Sequence, residues 1–558
     1  MNKNRNIWAF VAILAIVCPT LIGAKDAKES KGASMYRNLA VFNSLCKELA
    51  LSYVDTIDAE KSINTAIDYM LNELDPYTEY IRAKDREDFM TISTGEYGGI
   101  GSYIMQLPTG GVVFSEPYEG SPAAEAGIRP GDKIVMIDND STSTWKSSKV
   151  SEHLKGQANT IVKVVVNRPY VQDSIITFNI KRRKIQMPSV PYYKAFDNGI
   201  GYILLTTFNS NSPDEVKTAL LELKKNPDLK GIVLDLRGNG GGVLESAVKI
   251  VTRFVPKNTE VLCTRGRIKQ DEKVYKTTQN PIDTKIPLFV LIDGGSASAS
   301  EIVAGSLQDL DRAVIIGNRS FGKGLVQSTK SLPYENLLKL TVAKYYIPSG
   351  RLIQAIDYSR RNPDGSVART PDSLTHVYHT AAGREVRDGG GITPDITVKG
   401  DTVNRLTYNI IRDNWSFNFA NKFAAEHDSI AAPEDFTITD EIFNDFKAFI
   451  NPDKFNYDKV CETGLKNLRK TAEVEGYMND STKAVFDQLE KLLHHNLSQD
   501  LDNNREAISK ILAVEIQKRY YYQKGAIIES LKTDKELEEV ARLLNDPVEY
   551  KKILSPKK

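Results

Sequence analysis

Between residues 36 and 83 apolar side chains recur at helical spacing, as Leu39, Phe42, Leu45 and Leu49 and then Ile63, Ala66, Ile67, Met70 and Leu74, which predicts two or three helices. Asp75-Pro76 ends one of them, because the residue before a proline is pushed out of the helical region. From residue 95 to about 183 the period falls to two, and residues 112–115, 133–137, 161–167 and 175–180 read as short strands. From 199 to about 398 the apolar runs 201–206, 231–236, 286–292 and 313–317 alternate with helical stretches at 213–224 and 298–310. That βαβ alternation predicts an α/β core. Past Thr402 the chain reads as helical and charge-rich, with no motif to which chemistry attaches. Ahead of all this, polar and basic residues 2–5 precede an apolar run over 7–23 and a charged stretch from Lys25. This predicts an export signal cleaved near Ala24. The run is shorter than the roughly 20 residues of a spanning helix, so cleavage is favoured over a retained anchor. A lipid-bearing Cys18 is disfavoured by bulky Val17 before it.

The 558 residues exceed one core. The expected division is a signal at 1–24, a helical region at 25–94, a β-rich domain at 95–185, an α/β core at 186–400 and a helical region at 401–558. With 73 Lys+Arg against 72 Asp+Glu, and no basic run interleaved with aromatics beyond the N-terminus, nucleic acid is not an expected partner. Cys46, Cys263 and Cys461 are odd in number and far apart, so no disulfide framework is expected. His153, His376, His379, His427, His494 and His495 lack metal-ligand spacing. Neither metal nor cofactor is expected. His376 and His379 read as part of a looped insert.

Two glycine-rich segments carry candidate chemistry. Gly294-Gly295-Ser296-Ala297-Ser298-Ala299-Ser300-Glu301 places a hydroxyl at a sharp turn where a helix begins, and Phe321-Gly322-Lys323-Gly324 holds a lysine where its charged form is disfavoured. A neutral lysine can take a serine proton. Taken alone, Ser298 to Glu301 fits a helix capping box better, and Lys323 fits a solvated surface lysine. The pair gains weight from Leu234-Asp235-Leu236-Arg237-Gly238-Asn239-Gly240-Gly241-Gly242. A buried strand ending in four glycines is costly in entropy, and bare amides facing a nucleophile would form an oxyanion hole.

Gly98-Gly99-Ile100-Gly101 before a strand, with Ser121-Pro122-Ala123-Ala124-Glu125-Ala126-Gly127-Ile128-Arg129-Pro130-Gly131-Asp132, resembles a PDZ domain in its circularly permuted bacterial form. A plain tight turn or a nucleotide loop are the other readings of the glycines alone. The resemblance implies that amides over Gly99, Ile100, Gly101 and Ser102 receive a peptide C-terminal carboxylate. Ser102 is polar where the motif usually carries an apolar residue.

With Leu338 to Tyr346, Pro348-Ser349-Gly350-Arg351 and Asp388 to Asp395 added, the chain from Tyr36 to Val398 resembles the C-terminal processing, or tail-specific, serine proteases of family S41. The resemblance implies a multidomain α/β and α+β architecture: a helical N-terminal segment, the β-rich PDZ domain, a crotonase-like α/β peptidase core and a helical extension. It puts the nucleophile at Ser298, the general base at Lys323, a lysine-orienting glutamine at Gln327 and a supporting acid at Asp309. Backbone oxyanion donors fall at Ala299 and, in the turn, at Gly241. Implied substrates are proteins or peptides with free C-termini, cut through an acyl-enzyme in the periplasm or cell envelope. A homodimer through the end helices is an open expectation, and membrane association is expected only through an uncleaved signal. Two other readings stand beside this one: a catalytically silent PDZ scaffold, and a crotonase-type enzyme acting on thioesters, which leaves the PDZ segment without a place.

Overall fold

The apolar runs in the middle of the chain build one six-stranded sheet in the computed structural model, which describes residues 31–358, 361–362, 366–400, 404–455, 460–493 and 496–556. Its order is Tyr192–Ala195, Ile200–Leu204, Gly231–Asp235, Leu288–Ile292, Val314–Gly317 and Ile396–Thr397. The first pair is antiparallel and the others are parallel. Because a parallel sheet is covered on both faces, its strands are continuous apolar runs rather than alternating ones. Ile232, Leu234, Val290 and Ile315 pack with the helices Ser212–Leu223, Leu244–Val251 and Ala299–Asp309. The intervening residues Val233, Phe289, Leu291 and Ile316 pack instead with Ile528, Leu537, Val540 and Leu543. The α/β core is therefore as expected, and its second covering layer comes from the charge-rich C-terminal region.

That region has a core of its own, built on Leu406, Ile410, Phe419, Phe443, Phe446, Ile508 and Ile516. Its long helix Arg505–Leu531 is interrupted at Tyr521 and Tyr522, the latter at φ 52° and ψ −153°. The β-rich domain is an antiparallel sheet ordered Ser102–Gln106, Val112–Pro117, Lys133–Ile137, Ile161–Asn167 and Ile175–Lys181, with the helix Ser147–Leu154 against it. It leans on the helical region, where a Cβ on Gly131 would lie 2.3 Å from Asn421 Nδ2.

The chain divides into two units, residues 1–80 and 81–558. The first contains the helices Lys31–Ser52 and Ala59–Asn72. After them Asp75 Oδ1 accepts the N–H groups of Tyr77 and Thr78, each at 2.8 Å, so the Asp-Pro stop is fixed by an aspartate turn. The expected export signal lies outside the described residues. Among those described, no helix is long and apolar enough to cross a membrane. One expectation needs correcting: the segment with His376 and His379 is not all loop, since Val377–His379 pairs antiparallel with Glu385–Arg387, while His376 lies just ahead of that strand. Strands of three residues are too short to give a period-two signal.

Candidate active site

At the carboxyl end of strand Gly231–Asp235 the chain turns through Gly238 and Gly241, both at positive φ (67° and 99°), where a side chain would be strained. Strand Leu288–Ile292 ends beside it in Gly294-Gly295. One carboxylate joins the two turns: Asp293 Oδ1 accepts from the N–H groups of Gly238 and Gly295, both at 2.9 Å, and of Ser296 at 3.1 Å.

The three serines that follow have different fates. Ser296 Oγ is buried and donates to Leu236 O at 2.8 Å, while Ser300 Oγ is buried and donates to Asn239 O at 2.8 Å. Ser298 is half-buried at the start of the helix Ala299–Asp309, with φ 56° and ψ −112°. Such a backbone costs of order 1–3 kcal/mol for a non-glycine residue and persists only where its surroundings enforce it.

Glu301 is the chief enforcer. Its fully buried carboxylate accepts Ser298 N–H at 2.8 Å, Lys323 N–H at 2.8 Å, Gly322 N–H at 2.7 Å and Ser320 Oγ–H at 2.5 Å. Ser298 N and Lys323 N meet the same oxygen, Oε2, so they lie no further apart than twice that 2.8 Å distance. Burial pushes the Glu301 carboxyl up from its ordinary range, and its four donors oppose the shift. From the opposite side the buried Tyr345 hydroxyl lies 2.7 Å from Lys323 O and 3.2 Å from Ser298 O. The sequence marks Glu301 only as a helix cap; its grip on the lysine loop, some twenty residues on, carries no local signal.

Lys323 itself is half-buried between two buried glycines. Gln327 lies on the strand Leu325–Ser331 that leaves this loop, and its Nε2 donates to Thr341 Oγ1 at 3.2 Å. Asp309 stands apart. It ends the helix Ala299–Asp309 eleven residues from Ser298, about 16 Å along the axis, where Oδ1 accepts from Arg351 at 2.8 Å and Oδ2 from Ser349 N–H at 3.0 Å. Its contact is with the loop at 349–351 rather than with the serine.

Among the described residues Ala299 N–H has no hydrogen-bond acceptor, as an oxyanion donor requires. Gly241 N–H donates to Asn239 Oδ1 at 2.9 Å, so this donor is held by a neighbouring side chain. The position is nonetheless tight against the serine: a Cβ on Gly241 would lie 2.7 Å from Ala297 O and 2.9 Å from both Ala299 N and Ser298 Cβ. We expect Gly241→Ala to lower kcat by about 10²-fold, because the added Cβ would push the Ser298 turn out of place. Steady-state kinetics beside a thermal melt would check that the loss is in turnover. Behind the turn, Arg237 Nη2 lies 2.6 Å from both Asp235 Oδ2 and Asp534 Oδ2, and Nη1 lies 3.2 Å from Glu536 Oε2. The glycine turn is thereby tied to the C-terminal helices.

In the β-rich domain, Gly99 closes the strand Glu96–Gly99 and Ser102 opens the edge strand Ser102–Gln106. The carbonyls between them turn inward: Ile100 O accepts Ala123 N–H at 2.9 Å and Gly101 O accepts Tyr118 N–H at 3.0 Å. Among the described residues the N–H groups of Ile100 and Gly101 have no acceptor. A loop with free amides beside an unpaired strand edge suits an extended peptide ending in a carboxylate. Ser102 Oγ donates to Tyr103 O at 2.9 Å.

Three family models match the chain. They are Peptidase family S41 over residues 199–365, PDZ domain over 113–168, and "Probable PDZ-protease, C-terminal helical domain" over 406–544. The chain is 35% identical over 355 residues to a carboxy-terminal-processing protease of Bartonella bacilliformis, covering 63% of this chain and 81% of that one. It is 30% identical over 485 residues to a "Probable CtpA-like serine protease" of Staphylococcus aureus strain COL, covering 86% of each. Among solved structures, a photosystem II D1 C-terminal processing protease aligns at 27% identity and a TM-score of 0.35, covering 64% of this chain and 92% of that one.

Proposed function

The chain belongs to the S41 family of carboxy-terminal-processing serine proteases and carries a PDZ domain, and from that premise we propose that it is exported, recognises protein tails through residues 99–102 and cuts peptide bonds with a Ser298–Lys323 dyad. The observation that carries the dyad is the contrast among the serines of one turn. Ser296 and Ser300 are buried and spend their hydroxyls on backbone carbonyls, whereas Ser298 is half-exposed and fastened beside Lys323 by one carboxylate.

In the reaction, Ser298 Oγ attacks the scissile carbonyl as its proton passes to neutral Lys323 Nζ. Gln327 orients the lysine. The negative charge that forms on the carbonyl oxygen is met by Ala299 N–H and by a glycine amide of the turn, Gly241 once Asn239 releases it. Lys323 then gives its proton to the leaving amine as the C–N bond breaks. Water, deprotonated by the same lysine, hydrolyses the ester and returns Ser298. Asp309 supports the site indirectly, by holding the loop at 349–351 through Arg351. The limits we adopt for the PDZ domain, the peptidase core and the helical region are 95–185, 186–400 and 401–558. The apolar run over 7–23 supports export.

An unstructured reporter with an apolar tail, free or amidated at its C-terminus, tests this reading. Charge-assisted hydrogen bonds to a carboxylate are worth roughly 1.5–3 kcal/mol, so amidation should raise KM at least about tenfold and leave kcat nearly unchanged. Equal KM for the two reporters would sink tail recognition, and no cleavage of either would favour the silent scaffold.

A further inference from the structure

We propose that Lys155 is the cation that reads the tail carboxylate, and that Asp88 holds its place when no tail is bound. The inference rests on the tail-reading role of the PDZ domain. Lys155 caps the end of the helix Ser147–Leu154, where the chain passes directly along the carboxylate loop. Gly156 N–H donates to Gly98 O at 3.1 Å, and a Cβ on Gly99 would lie 3.7 Å from Lys155 Cα. The same Cβ would lie 2.8 Å from Tyr97 Cε2, and Lys155 Nζ sits 5.6 Å from the centre of that Tyr97 ring. The backbone of Lys155 thus runs beside Gly99, and its ammonium sits near the ring of Tyr97, three residues before the Ile100 amide.

Its partner is unusual for this neighbourhood. Lys155 Nζ pairs with Asp88 Oδ1 at 2.6 Å, and Asp88 lies in the first turn of the helix Arg86–Thr94, outside the PDZ sheet. The other cations nearby are engaged within or beside the domain. Arg183 bonds Gly120 O and Glu125, Lys184 pairs with Glu96, and Arg182 donates to the carbonyls of His153 and Leu154. Asp88 therefore presents to Lys155 the same group, a carboxylate, that an incoming tail would present. The side chains of Lys155 and Asp88 are 30% and 66% exposed, and such pairs are worth about 0–1 kcal/mol. A tail carboxylate that accepts from two backbone amides as well as from the ammonium outcompetes Asp88.

The test is fluorescence anisotropy of a labelled apolar-tail peptide, free acid or amide, on the full chain carrying Ser298→Ala so that nothing is cut. This parent should bind the acid at least about tenfold tighter than the amide, the value of a charge-assisted site. Adding Lys155→Met should bring the two affinities within about threefold and leave the amide affinity intact, which also reports that the domain is folded. Adding Asp88→Asn should tighten the acid by about two- to fivefold, the value of an exposed pair, without changing the amide. A Lys155→Met protein that keeps the parent's acid-to-amide ratio overturns the role of Lys155. An Asp88→Asn protein with unchanged acid affinity overturns the placeholder. A parent with no preference for the acid instead overturns tail recognition itself, a separate failure.

Discussion

Replacing Ser298 with alanine should lower kcat by about 10⁴-fold or more, and adding Lys323→Ala should lower it hardly further, because in the proposed dyad nucleophile and base act as one unit. The flanking serines give the internal control. Ser296→Ala and Ser300→Ala each remove a buried hydroxyl that donates to a carbonyl, Leu236 O and Asn239 O. They should cost about 1–3 kcal/mol of stability and leave most of the turnover. Reporter hydrolysis under single-turnover conditions, with denaturant melts of each variant, separates the two kinds of loss. A protein that stays active as Ser298→Ala but dies as Ser300→Ala would place the nucleophile elsewhere in the turn. Lys323→Ala that cuts at the wild-type rate would remove the lysine from the chemistry and leave the serine without its base.

The second large effect belongs to Glu301. Glu301→Ala strips the acceptor from three backbone N–H groups and one hydroxyl at a fully buried point. Each orphaned donor costs about 1–3 kcal/mol, so the substitution should remove several kcal/mol and free the strained backbone of Ser298. Glu301→Gln keeps one carbonyl oxygen but turns an NH₂ toward donors, and should fold with kcat down by about 10²-fold, a loss comparable to one misplaced catalytic contact. Affinity for a tail peptide should be unchanged in the Gln variant, because the proposed tail loop at 99–102 belongs to the PDZ domain rather than to the α/β core that carries Glu301. Wild-type kcat in Glu301→Gln would show that the clamp is dispensable for turnover.

These two predictions differ in how far the sequence foretold them. The positions of Ser298, Lys323 and the glycine turn are legible because small residues and glycines at fixed local spacings mark turns, and the alternation of strands and helices places all three at the carboxyl ends of parallel strands. The flanking glycines of Lys323 mark it for the same reason. The role of Glu301 is hidden because its partners Ser320, Gly322 and Lys323 arrive from a different loop, and only folding brings them to the cap. The distance of Asp309 from the serine follows from helix rise alone, and its partner Arg351 from tertiary packing. The parking of Gly241 N–H on Asn239 is a matter of side-chain rotamer, which no spacing encodes. In the C-terminal region the apolar stripes of the helices announce a buried face but not what it covers. That Leu537, Val540 and Leu543 meet Val233 and Phe289 is a contact across some three hundred residues.

That last contact is available only once the C-terminal helices exist. A ribosome releases the glycine turn and Ser298 well before it has made Asp534, Glu536 and the helix Lys535–Leu544, and domains fold as they emerge. Through that interval the far face of the catalytic sheet, with Val233, Phe289 and Leu291, lies open to water, and Arg237 lacks both of its distant carboxylates. A chain without residues 534–544 would therefore leave that sheet face uncovered and the glycine turn without its distant carboxylate anchors.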